Sequence, residues 1–345
     1  STEEAPARGA RAETPLLGRE QTSRGRPGRL VVPPLGAPDP LRVRDRFTNG
    51  IAAAVFLPLT QPPRLPSGPW SGLAREVRVE ADRLVIVLDP AYRWREGRPV
   101  TANDLARAWR LKLGGETASD LAFVAGDEGG APDPEAIRVV DTRTLEVRTR
   151  RTLLSVEALL AHANFSAVPA ELSDEELAGP WWREWSYGPY RVARWDDEGF
   201  RLERNPLFPG DVQTAVWEGS FSRSGEHSLA RFRQAEGEGA DWVVAPLPPG
   251  DVAGLDRAFP GALFREPTLC VFGFFVRGVP ADLREALSCG VDRESVTLRL
   301  LGGGQRPAYT LSPPDFGRAG EAAFAGRCAA RDPLTIGATK VPPLK

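Results

Sequence analysis

The run from Arg83 to Trp109 limits the fold of this chain more than any other stretch. Arg83-Leu-Val-Ile-Val-Leu88 is apolar and β-branched over the length of one strand. Gly97, Arg98 and Pro99 then break the extended pattern with turn chemistry. Thr101, with Asp104 three residues on, makes an N-cap signature that puts a carboxylate in a first helical turn. Leu105, Ala108, Trp109 and Leu111 fall on one helical face. A strand, a polar corner and an amphipathic helix are therefore expected in direct succession. Nothing in the pattern calls for catalysis.

The neighbouring segments read in the same way. Residues 1–28 are rich in Ala, Arg, Glu, Gly and Pro without apolar periodicity, as in a flexible leader. Leu30-Val-Val32 predicts a short strand and Asp45 to Leu57 a helix, with Phe47, Ile51, Ala54 and Val55 on one face. Glu76 to Glu80 alternates with period two and turns through Ala81-Asp82 into Arg83, which predicts a hairpin. A second hairpin is expected from Ile137–Val140 and Leu145–Thr149, then a short helix from Val156 to Ala161. Tyr190 to Trp195 and Phe200 to Arg204 predict two strands about the acidic turn Asp196-Asp-Glu198, with Asn205-Pro206 as punctuation. Ser228 to Arg233 is amphipathic, and Trp242-Val-Val-Ala245 predicts a buried strand. Leu269 to Phe275 predicts an apolar strand, and Ala281 to Val296 an amphipathic helix running on to Leu301 and closed by Gly302-Gly-Gly304.

Three of these stretches carry a family resemblance. Trp94 to Asp104 resembles the W-x-D/E-G-x-P-V-T-A-x-D segment of oligopeptide-binding proteins, the large solute-binding subunits of peptide importers (solute-binding family 5). Gly188-Pro189-Tyr190 through Asn205-Pro206 resembles that family's G-P-Y-x-V-x-x-W … L-x-R-N-P. Leu269 through Asp292-Arg293 to Ala308-Tyr309 resembles its Y-x-x-F-N … A-I-D-R-E-x-I … L-x-G-x-G-x-P-A. The resemblance spans about residues 30 to 340.

It implies an α/β fold of the periplasmic-binding-protein-like type II, large peptide-binding class: a first lobe of two subdomains and the start of a second. Residues 29–64 and 176–265 would form the hinge-side subdomain, 65–175 an inserted subdomain, and 266–345 an incomplete second lobe. It also implies non-covalent capture of a peptide or similar small solute between lobes, outside the cytoplasm, for delivery to a membrane ABC permease. Ligand-facing positions are then expected at Asn49, Tyr187, Tyr190, Phe272, Phe274, Phe275 and Tyr309. An architectural role is expected for Trp94, Gly97, Pro99, Thr101, Asp104, Gly188, Pro189, Asn205, Pro206, Asp292 and Arg293. Two departures stand out: Phe275 replaces the family's asparagine, and the second lobe is expected to be largely absent. Both motivate a competing reading, a degenerate member serving as a structural or accessory subunit of a larger protein assembly.

Composition excludes other classes. With 44 basic and 46 acidic residues the net charge is −2, so no electrostatic footprint for nucleic acid exists. No apolar run approaches the ~20 residues of a bilayer span. The chain lacks methionine even at position 1, and an export signal is expected to have been removed already. Cys270, Cys289 and Cys328 lack metal-ligand spacing and are expected as buried free thiols, with one disulfide left open. His162 and His227 are the only histidines, and no G-x-S-x-G elbow exists to pair with either. His162 is expected in the core. No zinc, EF-hand or P-loop pattern is present, so no catalytic residue, metal or cofactor is expected. Trp181, Trp182 and Trp185 either line a ligand cavity or fill the core; the core is the preferred reading.

Overall fold

Alternating apolar residues build the first sheet. In the computed structural model, β2 (Ala74–Glu80) pairs antiparallel with β3 (Arg83–Leu88), with Val77 opposite Ile86 and Val79 opposite Leu84. Ala81 takes the tight turn between them at a φ of 28°. β4 (Ile137–Val139) and β5 (Thr144–Arg148) complete an antiparallel sheet in the order β2-β3-β5-β4. Leu84, Ile86, Leu145, Val147 and Ile137 are all buried. α2 (Ala102–Leu113) lies against β4 and β5 with Leu105, Ala106, Ala108 and Trp109 buried.

The structure describes residues 26–62, 71–95, 97–126, 130–150, 153, 155–233, 241–244, 252–261, 263, 271–273, 276–301, 305–310, 324, 325 and 328. The chain divides into two compact units, residues 1–246 and 247–345.

The second sheet of the first unit has the order β6-β7-β8-β1-β9, from β1 (Gly28–Val32), β6 (Tyr190–Trp195), β7 (Gly199–Arg204), β8 (Val216–Phe221) and β9 (Trp242–Val243). β6, β7 and β8 are antiparallel, whereas β1 runs parallel to both β8 and β9. β8 had no counterpart in the sequence reading. Gly219 interrupts its apolar run, and the reason is spatial: a Cβ there would meet the Phe200 ring at 2.2 Å. β9 is half-buried, Trp242 included, where a buried strand was expected.

α1 (Arg46–Val55) starts at Asp45, whose carboxylate accepts from the Phe47 and Thr48 amides at 2.9 Å. Its buried face is Thr48, Ile51, Ala52 and Val55, so Ile51 and Val55 of the expected face are buried, while Phe47 and Ala54 are half-buried. α3 (Val156–Leu160) and α4 (Asp174–Ala178) are single turns, and α5 (Gly225–Arg233) connects β8 to β9. One apolar cluster runs through both sheets, from Val32 and Phe56 to Trp94, Trp109, Tyr187 and Trp217.

The Gly188-Pro189 and Asn205-Pro206 motifs prove to be two halves of one joint. Asn205 Nδ2 donates to Gly188 O at 2.9 Å, and Gly188 N donates to Val55 O at 2.8 Å, which fastens the start of β6 to the end of α1. A Cβ on Gly188 would lie 2.7 Å from Ala54 O and 2.8 Å from Val55 O, both backbone atoms. Gly188→Ala is accordingly expected to cost about 1–3 kcal/mol through overpacking. Urea denaturation checks this, and an unchanged midpoint at unchanged slope contradicts it.

In the second unit, α6 (Val252–Ala258), α7 (Ala281–Gly290) and α8 (Arg293–Ser295) are followed by a wide helical turn, Val296–Leu301. The expected single helix from 281 to 301 is thus broken at Val291-Asp292. Asp292 caps the new start by accepting from the Ser295 amide at 3.0 Å. Val271–Gly273 carry no strand, and the rest of the expected strand 269–275 lies outside the described residues, as does the Gly302–Gly304 cap. Cys289 and Cys328 are joined by a disulfide, which corrects the expectation of free thiols for these two; Cys270 lies outside the described residues. Among the described residues no helix is long and apolar enough to cross a membrane.

Candidate functional site

The corner between β3 and α2 is organised by one carboxylate. Thr101 and Asp104 form a reciprocal capping box: Asp104 N donates to Thr101 Oγ1, and Thr101 N donates back to Asp104 Oδ2 at 2.8 Å. Asp104 Oδ2 also accepts from Thr101 Oγ1 at 2.9 Å, Arg98 Nη1 at 3.0 Å and Trp94 Nε1 at 3.3 Å. Its Oδ1 accepts from Arg98 Nη2 at 3.0 Å and Ala170 N at 2.8 Å. The carboxylate is fully buried, and these donors replace its hydration. Burial alone would lower the Arg98 guanidinium, but its bonds to Asp104 and Glu171 outweigh that and hold it above its ordinary value. Gly97 turns the chain into this corner at a φ of 84°, a conformation open to glycine at little cost. The hub joins the turn, the helix start and the 170 segment. It offers no free group to a substrate.

A second buried polar group lies near the other end of α2. Lys112 Nζ donates to Asp120 Oδ2 at 3.0 Å and Asn164 O at 2.9 Å, and Asn164 Nδ2 donates to Asp120 Oδ2 at 2.7 Å. Burial lowers the Lys112 ammonium, and Asp120 opposes it. His162 is half-buried rather than in the core, since its Nδ1 accepts from Asn164 N at 3.2 Å and caps a short turn.

Asp39, in Pro38-Asp39-Pro40, is fully buried, accepts from Leu41 N at 3.0 Å and faces Arg42 Nε at 3.6 Å. Burial raises its carboxyl above the ordinary 3.8, against the pull of the Leu41 amide and Arg42. A raised acid favours the fold in its protonated form, so the stability it lends is present in acid and lost as pH rises. Relative to Asp39→Asn, the wild type is expected to gain thermal stability as pH falls from about 7 toward 4. A difference in melting temperature independent of pH contradicts this.

Of the residues expected to face a ligand, Asn49, Tyr187 and Tyr190 lie in the first unit, and Phe272 and Tyr309 in the second. Asn49, on α1, uses its Oδ1 to accept from Ala163 N at 2.8 Å. Tyr187 is 0% exposed, its ring 4.8 Å from that of Trp94, its hydroxyl accepting from Ala167 N at 3.0 Å. Burial pushes that phenol far above its usual range. Tyr190 is buried as well, its hydroxyl donating to Thr214 O and accepting from Trp217 Nε1, each at 3.0 Å. In all three, at least one side-chain polar atom is engaged by a backbone amide or a buried neighbour. Phe272 stands 97% exposed in the second unit, Tyr309 is half-buried there, and Phe274 and Phe275 lie outside the described residues. Trp181 and Trp182 are core, at ring distances of 5.0 Å from Phe56 and 5.6 Å from Trp195.

Among the described residues of the first unit, two surface hollows flank α2. The larger, about 670 Å³, is lined by Arg98, Asn103, Arg107, Arg110 and Glu171 among others. Its cations are taken: Arg98 by Asp104 and Glu171, Arg107 by Asp174, and Arg110 by the Ile137 carbonyl. The smaller, about 490 Å³, lies between Leu41–Arg44 and Leu111–Thr117. Among the described residues no group of His, Cys, Asp or Glu could hold a metal ion.

Topology marks a different place. β8 and β9 both lie parallel to β1, on opposite sides of it, and the crossover through α5 spans β1. In open α/β sheets the crevice beyond the carboxyl ends of such strands is where ligands bind. Here that edge is made by the chain leaving Val32, by Ser222 to Ser224 after β8, and by Val244 after β9. Ser222 N donates to Val32 O and Val244 N to Val31 O, each at 2.8 Å, which hold the three ends together. Ser222 and Ser224 were missed because β8 itself was missed; Val216-Trp217, ahead of the glycine, was the signal available.

Comparison with known proteins agrees with this architecture. Residues 69–328 match the family described as bacterial extracellular solute-binding proteins, family 5 Middle. The periplasmic oligopeptide-binding protein OppA of Haemophilus influenzae is 27% identical over 243 residues, covering 64% of this chain and 44% of that protein. The oligopeptide-binding protein OppA of Bacillus subtilis is 23% identical over 298 residues, 78% and 53% of the two chains. The chain spans about half the length of these relatives. The crystal structure of Haemophilus influenzae OppA in complex with RPPGFSPFR superposes with a TM-score of 0.73 at 21% identity, covering 87% of this chain and 63% of that one. Burkholderia pseudomallei OppA gives 0.72 at 21% identity, covering 89% and 66%. The fold is that of the type II periplasmic peptide-binding proteins, and the chain belongs to family 5 of the bacterial extracellular solute-binding proteins.

Proposed function

We propose that this chain is an extracytoplasmic solute-binding component of a peptide-type importer, which takes up a peptide without covalent chemistry and presents it to a membrane permease. The observation that carries the reading is the family match over residues 69–328, joined to a sheet whose parallel strands β8, β1 and β9 end at one edge. An extended peptide suits such a crevice, since it can be held through its backbone whatever its side chains. The Cys289–Cys328 disulfide supports an oxidising, extracytoplasmic setting.

A set of defined peptides, RPPGFSPFR among them, tests this by thermal shift. A peptide present at about 100 times its dissociation constant stabilises the folded state by about 2.7 kcal/mol. The melting temperature is therefore expected to rise with at least one peptide of the set. No shift with any of them contradicts the reading. One observation favours the accessory-subunit alternative: Leu283 and Leu287, four residues apart on α7, are both exposed.

A further inference from the structure

In the second unit few of the described side chains are buried. Among its described residues only Leu255, Ala286 and Thr297 are buried, while Leu283, Leu287, Val291, Leu298 and Leu300 are exposed. Where so few side chains are buried, other fastenings carry more of the load. Among the described residues two of them act on the same short stretch of chain.

The first is Arg293. Its Nε donates to Ala308 O at 3.0 Å, its Nη1 to Ser288 O at 2.7 Å, and its Nη2 to Ser288 Oγ at 2.9 Å. The same guanidinium lies over the Phe324 ring at 4.5 Å and the Tyr309 ring at 5.6 Å. The two rings are 5.4 Å apart. One planar cation thus joins the end of α7, the 308–309 segment and Phe324. The second fastening is the Cys289–Cys328 disulfide, which ties the segment carrying Phe324 to the same end of α7, across 39 residues of sequence.

We propose that the disulfide and Arg293 form a thiol-sensitive latch: the bond keeps Phe324 at the guanidinium, and the guanidinium with Phe324 keeps Tyr309 seated. Opening the latch is thiol–disulfide exchange with a dithiol. A dithiol thiolate attacks one cysteine Sγ, and the S–S bond breaks with its electron pair leaving on the other Sγ, which takes up a proton. The reagent's second sulfur then displaces the first cysteine and leaves as a cyclic disulfide, so the protein gains two electrons and two protons as two thiols. Without the bond, Phe324 loses its covalent tie to the end of α7, and its stack against Tyr309 loosens. The latch goes beyond peptide capture and stands or falls independently of it.

Limited digestion of the full chain with chymotrypsin tests this, because cleavage requires the aromatic side chain to leave its seat. The oxidised protein is compared with protein reduced by dithiothreitol, alkylated with iodoacetamide and freed of reagent, and with the Cys289→Ser, Cys328→Ser double variant. Cleavage after Tyr309 and Phe324, identified by mass, is expected to accelerate roughly tenfold or more in both forms without the bond, as local opening becomes easier. Sites at the buried Phe56 and Trp94 of the first unit are expected to stay resistant. Arg293→Lys keeps the charge and the disulfide but lacks the planar stack and the donor fork, and is expected to expose Tyr309 more than Phe324. Equal rates with and without the bond overturn the proposal. So does equal acceleration at Phe56 and Trp94, or an Arg293→Lys protein cut like the wild type.

Discussion

Asp104→Ala is expected to destabilise the first unit by about 3–5 kcal/mol, the cost of breaking a buried ion pair by removing one partner. The carboxylate takes bonds from Trp94, Arg98, Thr101 and Ala170, so its loss leaves the Trp94, Thr101 and Ala170 donors without that acceptor and Arg98 with Glu171 as its remaining carboxylate. Unsatisfied donors cost more than the bonds themselves contributed, because water cannot reach them. Asp104→Asn keeps the shape and one acceptor oxygen while removing the charge, and is expected to fall between wild type and alanine. Denaturant titration followed by tryptophan fluorescence measures both. A loss below about 1 kcal/mol for the alanine variant would mean that the corner is held by packing rather than by the hub.

Trp94→Ala is expected to cost a similar 3–5 kcal/mol, here from a cavity rather than a lost charge pair. The ring is fully buried and meets Tyr187 and Trp185 edge to face, at 4.8 Å and 5.6 Å. Such a loss is a large part of the ~5–15 kcal/mol that a domain commonly has. Trp94 Nε1 also donates to Asp104, so the two substitutions share a contact and the double variant is expected to lose less than the sum. A melting temperature unchanged from wild type in Trp94→Ala contradicts the assignment of this ring to the core. Strict additivity contradicts the shared hub.

The corner was legible because its determinants are local. Thr101 and Asp104 stand at capping-box spacing, Gly97 and Pro99 mark the turn, and period-two alternation gives β2, β3 and β5 their faces. β8 was not legible, because Gly219 looks like a break in one dimension and is a packing requirement against Phe200 in three. The helix break at Val291-Asp292 was hidden by leucines on both sides of it, although Asp292 with Ser295 is a cap signature in hindsight. Ligand positions were least legible. Tyr187 and Tyr190 have residue types suited to a binding site, but their hydroxyls are taken by Ala167, Thr214 and Trp217, partners set by tertiary structure. The disulfide was equally hidden, since three cysteines allow several pairings and only the fold brings Cys289 to Cys328.

The central claim is that this chain captures peptides, and isothermal titration of the intact, oxidised protein with individual defined peptides tests it most directly. Saturable heat at one site per chain, with at least one peptide and with a negative heat-capacity change from buried apolar surface, is the predicted result. No saturable heat with any peptide, from protein that unfolds cooperatively and retains its disulfide, would contradict it.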